Sequence, residues 1–345
     1  MNTDLVVQRA EGLYCPQGDF FIDPWRPVSR AVLTHAHADH ARRGHAAYLA
    51  QADSAGVLRA RLGEITLQTL AYGEALHVNG VQVSLHPAGH VLGSAQVRIE
   101  HRGEVWVASG DYFVSGAGDA NTTCAPFEPQ RCDCFITEST FGLPIYRWRA
   151  QAEVLADINA WWRANADDGR ASLLMAYSFG KAQRLLAGVD ADIGPIVVHG
   201  AVEPLNAAYR SAGVTLPATH LLDEMNDKAL LRRALVIAPP AVHGSAWARR
   251  FGDFGDAFAS GWMQLRGARR RQGVDRGFVL SDHADWPGLH SAIAATGAAR
   301  VIVTHGYEAV MVRWLQQHGL QAGSFSTEYG ANDDSTDDAA ASGTL

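Results

Sequence analysis

The stretch Leu33–His40 reads LTHAHADH and places three histidines and an aspartate within six residues, directly after the apolar run AVL. In an extended segment, a residue and its second neighbour point the same way, so His35 and His37 can bind one metal ion. Asp39 and His40 lie in the following turn, where they can reach a second ion. The pattern therefore predicts a site for two metal ions at the end of a strand.

Three further polar residues end apolar runs in the same manner. His90 follows VQVSLHPAG, Asp111 follows VWVASG, and His305 ends VIVTH. At each of these points a strand passes into a loop, which is where a rigid sheet holds functional side chains. We therefore expect these residues to join the cluster at 35–40.

The composition limits the kind of protein. The sequence has 345 residues, 47% of them hydrophobic, and a net charge of −7, so it can bury a large core and form two domains. No apolar run approaches the ~18 residues that cross a bilayer, and the first residues lack the pattern of a signal peptide. The four cysteines form no pair of CxxC knuckles and suggest reduced thiols. These features predict a globular, cytoplasmic protein that does not enter a membrane.

Two kinds of pattern divide the chain. Short apolar runs between turn residues predict strands up to about residue 140. Helical patterns such as QAEVLADINAWWRAN then interleave with apolar runs such as SLLMAYSF and LVIAPPAV, which predicts a separate α/β segment. The strands GFVLSDHADW and ARVIVTHG follow, each with a helix after it. The small, polar and acidic residues of 331–345 predict a disordered tail.

The HxHxDH motif, a histidine in a glycine-bounded loop, an aspartate after a strand and a late histidine together resemble the metallo-β-lactamase fold. The resemblance implies an α/β architecture, an αββα sandwich with two divalent metal ions at one edge. It also implies two ligand sets, with Asp111 bridging the two ions. The sets are His35, His37 and His90 for the first ion, and Asp39, His40 and His305 for the second. Zinc is favoured, although such ligands also suit manganese or iron.

Two further features resemble the β-CASP nucleases of this fold. A long insertion separates Asp111 from His305, and FITESTFG and LSDHADW supply Glu138 and His283. The resemblance implies that His283 donates a proton, that Glu138 lies beside it, and that Asp39 is also catalytic. It further implies metallo-β-lactamase segments at 1–147 and 274–330 around an inserted β-CASP domain at 148–273, where SFGKAQRLL matches a family turn. The acidic tail is then 331–345.

The residues suit this chemistry on physical grounds. Phosphodiester hydrolysis needs a nucleophile, relief of charge on the phosphate oxygens and a proton for the leaving oxygen. A two-metal centre supplies the first two. Histidine suits the third, because its unperturbed pKa lies near neutrality and a carboxylate beside it favours the imidazolium.

Within the family, the segments TESTFG, SFGKAQR and VTHG resemble those of the bacterial ligase-associated DNA exonucleases, which accompany an ATP-dependent DNA ligase and a helicase. This resemblance implies a repair exonuclease that acts on single-stranded or frayed DNA from a 5′ end. One feature departs from this resemblance. The DNA-repair branch generally has valine where His305 stands, so the metal arrangement is more similar to that of the RNA-cleaving members. A β-CASP ribonuclease in RNA processing therefore remains an alternative, with a small-molecule metallo-hydrolase as a third.

Two basic segments are candidate substrate-binding sites. Gly180 opens a predicted helix, so its amide groups with Lys181 and Arg184 could hold a phosphate, and Ser281 could complete such a pocket. The run RGARRRQGVDR could follow a nucleic-acid backbone. Its central residues are Arg269, Arg270 and Arg271.

Overall fold

The computed structural model describes residues 4–116, 122–267 and 273–328. The chain divides into two compact units. The first contains the described residues of 4–115, 124–147 and 283–328, and the second contains those of 148–282 with a short stretch at 116–123. The predicted acidic tail and the arginines at 269–271 lie outside the described residues.

The first unit begins with a six-stranded sheet whose strands follow the order of the chain. Its strands are β1 (Val7–Gln8), β2 (Leu13–Cys15), β3 (Phe20–Ile22), β4 (Arg30–Val32), β5 (Ala47–Gln51) and β6 (Leu67–Leu70). Strand β2 pairs antiparallel with both β1 and β3, and the pairs from β3 through β6 are parallel. A 3-10 turn (Ala52–Ser54) and helix α1 (Ala55–Leu62) connect β5 to β6.

A second sheet in this unit has seven strands, in the order β19-β18-β11-β10-β9-β8-β7. They are β7 (Ala75–Val78), β8 (Val81–Pro87), β9 (Ala95–His101), β10 (Glu104–Ala108), β11 (Cys134–Ser139), β18 (Arg300–Gly306) and β19 (Gln321–Ser324). Strands β7 to β10 form an antiparallel meander, and β10, β11, β18 and β19 are parallel.

The two sheets of the first unit pack face to face. Ile22 and Val32 of the first sheet share an apolar core with Ile302 of the second. Because side chains alternate along a strand, Val301 and Val303 point to the opposite face of the second sheet. There they pack with α7 (Trp286–Thr296) and α8 (Glu308–Gln317). The α/β character predicted from the sequence is confirmed.

The second unit is built on a six-stranded parallel sheet, in the order β14-β13-β15-β12-β16-β17. The strands are β12 (Ala171–Met175), β13 (Ile196–Val198), β14 (His220–Leu221), β15 (Leu235–Ala238), β16 (Phe254–Ala259) and β17 (Arg276–Phe278). The helices are α2 (Gln151–Asp167), α3 (Lys181–Gly188), α4 (Glu203–Ser211), α5 (Lys228–Leu231) and α6 (Ala246–Arg249), with 3-10 turns at Leu222–Glu224, Pro240–Val242 and Gly261–Gln264.

Both faces of this parallel sheet are buried. Leu174 packs with Ile158 of α2 and Leu185 of α3, whereas its neighbour Leu173 packs into a second apolar cluster with Phe251. A parallel sheet covered on both faces requires strands that are apolar at every position. This explains the apolar runs LLMA and LVIA in the sequence.

Two details differ from the sequence-based expectations. The second unit ends at Asp282 rather than at residue 273, because β17 pairs in parallel with β16 and so extends the sheet of that unit. The strand predicted over GFVLSDHADW accordingly stops at Phe278. The segment DKALLRRA, although its pattern is helical, forms only a single turn, α5, which has no buried residue to stabilise a longer helix.

Of the helices in the described part of the chain, none combines the length and the apolar character that a membrane crossing requires.

Candidate metal centre

The residues that the sequence predicts as metal ligands come together in the first unit. They follow or end the strands β4, β8, β10 and β18, whose ends meet at one edge. In each of three groups within this unit, the candidate ligand atoms lie within 4.8 Å of one another. The groups are His35, His37, His90 and Asp111; His35, Asp39 and His40; and Asp111, Glu138 and His305.

Asp111 occupies the middle of this cluster. Its Oδ2 atom is 3.4 Å from Nε2 of His35 and 3.4 Å from Nε2 of His40. The same oxygen is 3.9 Å from Nε2 of His90. The other oxygen, Oδ1, is 3.3 Å from Nε2 of His305. Oδ2 thus faces histidines of both predicted ligand sets, Oδ1 faces His305, and the carboxylate lies between the two sets.

Three histidines converge on one side of Asp111. Nδ1 of His37 and Nε2 of His90 are 3.0 Å apart. The ring of His35 lies with its centroid 4.8 Å from those of both His37 and His90. These three imidazoles therefore lie close enough together to hold one ion.

His35 has the chemical form that a metal ligand requires. The Thr34 hydroxyl donates to Asp23 Oδ2 at 2.5 Å, so its oxygen accepts the Nδ1–H of His35, 3.0 Å away. The lone pair of His35 is then on Nε2, a buried atom that makes no hydrogen bond. Burial, and then the charge on His40, lower the pKa of His35 well below its ordinary value. A neutral imidazole with an inward, unsatisfied nitrogen fits a metal ion.

Asp23 is a functional residue that the sequence analysis missed. Its carboxylate accepts the backbone N–H of Thr34 at 2.7 Å and Nδ1–H of His40 at 2.7 Å. The second bond turns Nε2 of His40 toward Asp111. Asp23 thus fixes both His35, through Thr34, and His40. The available signal was an acidic residue at the end of the apolar run FFID, the same signal that marks Asp111.

The charges of the cluster favour a cation. Burial alone would lower the pKa of His40, but three carboxylates raise it well above its ordinary value. They belong to Asp39, Asp111 and Asp23. Burial would likewise raise the pKa of Asp111, yet His40 and His305 hold it well below the usual range. Surroundings that stabilise a proton on these imidazoles also stabilise a divalent ion that displaces it. The donor set therefore fits metal ions.

A glycine allows Asp111 to approach the histidine motif. Gly110 has φ of +56°, and a Cβ atom there would lie 2.5 Å from Cβ of Thr34. Any other residue would push the end of β10 away from Thr34. Gly110 is therefore required to bring Asp111 against His35.

Glu138 and His283 form a buried pair beside the ligands. Nδ1 of His283 is 3.0 Å from Oε2 of Glu138 and 3.2 Å from Oε1. The backbone N–H of Tyr112 donates to Oε1 at 2.7 Å, and the Thr140 hydroxyl donates to Oε2 at 2.5 Å. The ring of His283 lies 4.6 Å from that of His90, centroid to centroid. The structure thus brings together the two residues that the sequence predicts as proton donor and partner.

The turn before α3, in the second unit, was predicted to hold a phosphate, but its amide groups already have partners. The backbone N–H of Gly180 donates to Oε1 of Gln183 at 2.8 Å, and that of Lys181 donates to the carbonyl of Phe179 at 3.0 Å. These donors are therefore used by the chain itself. The prediction that they hold a phosphate is corrected for this reason.

Among the described residues of the second unit, the side chains predicted to bind substrate are buried; they are Lys181, Arg184 and Ser281. The Lys181 ammonium is 2.9 Å from Oδ1 of Asp282, and both side chains are at most 3% exposed. Arg184 is buried in α3, and Ser281 is buried with its carbonyl accepting from Nε2 of Gln151 at 3.0 Å. Lys181 therefore neutralises a carboxylate of its own unit rather than presenting an open charge.

Comparison with known proteins relates the chain to enzymes of nucleic-acid metabolism. It is 32% identical over 320 residues to "Probable DNA ligase" of Opitutus terrae, a match that covers 92% of this chain and 30% of that protein. It is 32% identical over 124 residues to "Endoribonuclease YSH1" of Yarrowia lipolytica, covering 36% of this chain and 14% of the relative. The same identity over 124 residues relates it to "Cleavage and polyadenylation specificity factor 73" of Drosophila melanogaster, covering 36% and 18%.

The chain spans less than a third of the length of each of these relatives. No protein-family model matches it. The fold is shared with a protein of unknown function from Enterococcus faecalis V583, with a TM-score of 0.57, 12% sequence identity and coverage of 87% of this chain and 80% of the other. The chain is therefore similar to several proteins of nucleic-acid metabolism, and its fold occurs in a solved structure.

Proposed function

We propose that this chain is a metal-dependent phosphodiesterase of the β-CASP branch of the metallo-β-lactamase fold, and that it acts on DNA. The observation that carries the proposal is that one unit holds both the ligand cluster around Asp111 and the pair of His283 with Glu138. Relatives named as endoribonucleases support a nucleic acid as the substrate class.

The residues divide the chemistry among them. Divalent ions held by the cluster, zinc or alternatively manganese, would supply the Lewis acidity that activates water and offsets charge on the phosphate oxygens. Glu138 fixes the ring of His283 through Nδ1 and stabilises its protonated form. Nε2 of His283 then gives a proton to the leaving oxygen. The side chain of Asp39 is 16% exposed, against 5% for Asp111, which supports a role where the cluster meets water.

The proposed substrate is single-stranded or frayed DNA, degraded from a 5′ end during repair. The similarity of nearly the whole chain to part of a protein named as a DNA ligase supports this choice. It also supports an ATP-dependent DNA ligase as a partner, and the family resemblance adds a helicase. The cysteines within the described residues are free thiols, which supports a location in the reducing cytoplasm.

An RNA-processing ribonuclease is the second candidate. The relatives named endoribonuclease favour it, as does the presence of His305 at the last ligand position. A requirement for the 2′-hydroxyl distinguishes it from the first candidate.

Cleavage assays test the proposal. End-labelled single- and double-stranded DNA and RNA of one sequence are incubated with the purified chain, with zinc or manganese added, and His283→Ala is the control. We expect mononucleotides from the 5′ end of single-stranded DNA and no cleavage of circular single strands. Cleavage of RNA alone would favour the second candidate, and rapid cleavage of the circle would exclude an exonuclease. Absence of cleavage on every substrate would refute both.

A further inference from the structure

Two of the three large apolar side chains that are exposed in the described part of the chain lie close in sequence to residues of the metal centre. Ile145, 53% exposed, belongs to the loop after β11, the strand that carries Glu138. Val310, 42% exposed, lies in the first turn of α8, which follows His305 of β18. Apolar side chains that are grouped at the surface, rather than scattered, indicate a binding surface.

The loop and the helix that carry these two side chains are joined at one atom. The register between β11 and β18 shifts opposite Glu138. One residue later, the carbonyl of Ser139 accepts the backbone N–H of Gly142 at 2.9 Å and that of Tyr307 at 3.0 Å. A Cβ atom at Gly142 would lie 3.5 Å from Cε of Met311, so the loop also packs against α8. The loop and the helix therefore form one support beside the strand ends.

A series of ring contacts leads from the proposed proton donor to this support. The ring centroid of His283 lies 6.0 Å from that of Phe141, which lies 4.8 Å from that of Tyr146. The ring centroids of Tyr146 and Tyr307 are 6.1 Å apart, and their hydroxyl oxygens are 3.2 Å apart. Tyr146 is fully buried, whereas Tyr307 is partly exposed. Tyr307 thus presents part of an aromatic side chain to solvent at the outer end of the series.

We propose that Tyr307, together with Ile145 and Val310, receives a base of the nucleic-acid strand whose phosphate lies at the metal centre. The inference deepens the proposed function and rests on it, because it takes a nucleic acid as the substrate. An aromatic ring and apolar side chains fit the face of a base, and every base has such a face, so the contact does not select a sequence. Arg147, which directly follows Tyr146, is exposed and adds a positive charge for a neighbouring phosphate.

The size and position of the patch favour a base over a second copy of the chain. A stable protein interface uses about 20–30 residues on each side, whereas this patch has two exposed large apolar side chains and one tyrosine. The patch follows the ends of β11 and β18, which carry Glu138 and His305. A strand whose phosphate reaches the cluster has its neighbouring bases near these strand ends.

Substitutions at Tyr307 separate its ring from its hydroxyl. Tyr307→Ala removes the ring, whereas Tyr307→Phe keeps it and loses only the contact with Tyr146. Loss of one stacked aromatic ring costs about 5–150-fold in binding. We expect a rise of this size in KM for Tyr307→Ala on single-stranded DNA, with little change in kcat, because the contact is the same before and during reaction. Tyr307→Phe should remain near the wild-type KM.

Leu230→Ala is the matched control for Ile145→Ala and Val310→Ala. Leu230 is 46% exposed and lies in α5 of the second unit, so the substitution removes a similar apolar side chain away from the patch. We expect Ile145→Ala and Val310→Ala to raise KM by a smaller factor than Tyr307→Ala, and Leu230→Ala to leave it unchanged. Metal content, measured by elemental analysis, should be the same in all of them, because none of these side chains belongs to the ligand cluster.

Oligonucleotides with a single abasic nucleotide test the contact directly. The abasic nucleotide is placed at each successive position from the 5′ end of one sequence, in DNA, or in RNA if only RNA is cleaved. KM and kcat are measured for the metal-loaded wild-type chain and for Tyr307→Ala. Removing the stacked base should raise the wild-type KM, and at that position Tyr307→Ala should cause no further rise. If Tyr307→Ala does not fold or loses metal, Tyr307→Leu gives the same readouts, because it fills space without an aromatic face.

An unchanged KM in Tyr307→Ala, or an equal rise on the intact strand and on every abasic strand, would overturn the inference alone. So would a loss of self-association in Ile145→Ala, measured by sedimentation, without a change in KM, because the patch would then bind a second copy of the chain. A wild-type chain that cleaves no nucleic acid would refute the proposed function, and the inference with it.

Discussion

Two polar turns, one in each unit, follow strands, and both were predicted to bind ligands. The structure shows that they differ in whether their polar atoms already have partners within the chain. In the turn after β4, Nε2 of His35 is buried and makes no hydrogen bond. In the turn after β12, the amides of Gly180 and Lys181 donate to atoms of the chain itself. Leaving a buried polar atom unsatisfied is costly, so the first turn is suited to a ligand, whereas the donors of the second are already satisfied.

The charges around the two turns also differ: those around the first favour a cation, and those at the second are neutralised within the chain. Around the first turn, several carboxylates are placed among imidazoles, and together they favour added positive charge. At the second turn, Lys181 and Asp282 neutralise each other in a buried pair. Whether a basic or histidine-rich turn can bind a ligand therefore depends on the partners that the fold places around it. The local sequence does not show those partners.

Asp111→Ala should have the largest effect, because both proposed ions share this carboxylate. We expect loss of both bound metals and a fall in rate of at least about 10³-fold, since metal ions contribute several kcal/mol and each ~1.4 kcal/mol is a factor of ten. Elemental analysis and cleavage assays measure this. His305→Ala, as the comparison variant, should weaken mainly the second ion. Two tightly bound metals and full activity in Asp111→Ala would refute the assignment.

His283→Ala should retain both metals but slow cleavage by about 10²–10⁴-fold, the usual contribution of a general acid. Glu138→Gln should slow it through the same proton donor. A substrate with an activated leaving group should suffer less from His283→Ala. Equal losses on the activated and the ordinary substrate would contradict the assignment of a proton donor.

Asp23→Asn should lower metal affinity or activity by about 10–100-fold, because Asp23 sets the tautomers of His35 and His40 without touching an ion. Asp19→Asn is a suitable control, since Asp19 accepts a hydrogen bond from Tyr14 and lies outside the cluster. Metal titration of the two variants measures the difference. Indistinguishable affinities would show that Asp23 does not orient the ligands.

Lys181→Met should have the smallest effect on substrate binding and should instead destabilise the second unit. Removing one partner of a buried ion pair costs about 3–5 kcal/mol, whereas replacing both with apolar residues is often nearly neutral. Urea unfolding should therefore show that Lys181→Met with Asp282→Leu recovers most of the stability. A large rise in KM for 5′-phosphorylated DNA, with unchanged stability, would restore the phosphate-binding interpretation.

The sequence identified residues that the fold brings together, because these residues end or follow strands, and strand ends are visible as the last residue of an apolar run. His90, Asp111 and His305 are all of this kind. Asp23 had the same signal, but its role depends on two hydrogen bonds to residues on another strand end. That role could not be assigned before the tertiary contacts were known.

Other features are tertiary by nature. The shift in register opposite Glu138 arises from pairing between strands that are far apart in the sequence. The partner of Lys181 is likewise remote in the chain, so its charge was taken as open when it is neutralised. The end of the second unit was placed too early because nothing local shows that β17 joins the sheet of that unit.

Anomalous diffraction from crystals of the metal-loaded chain, recorded at the absorption edge of the bound metal, tests the central claim most directly. We predict two peaks in the first unit, one among His35, His37 and His90 and the other among Asp39, His40 and His305, with the Asp111 carboxylate between them. A single peak, or peaks that do not contact Asp111, would contradict the two-metal centre.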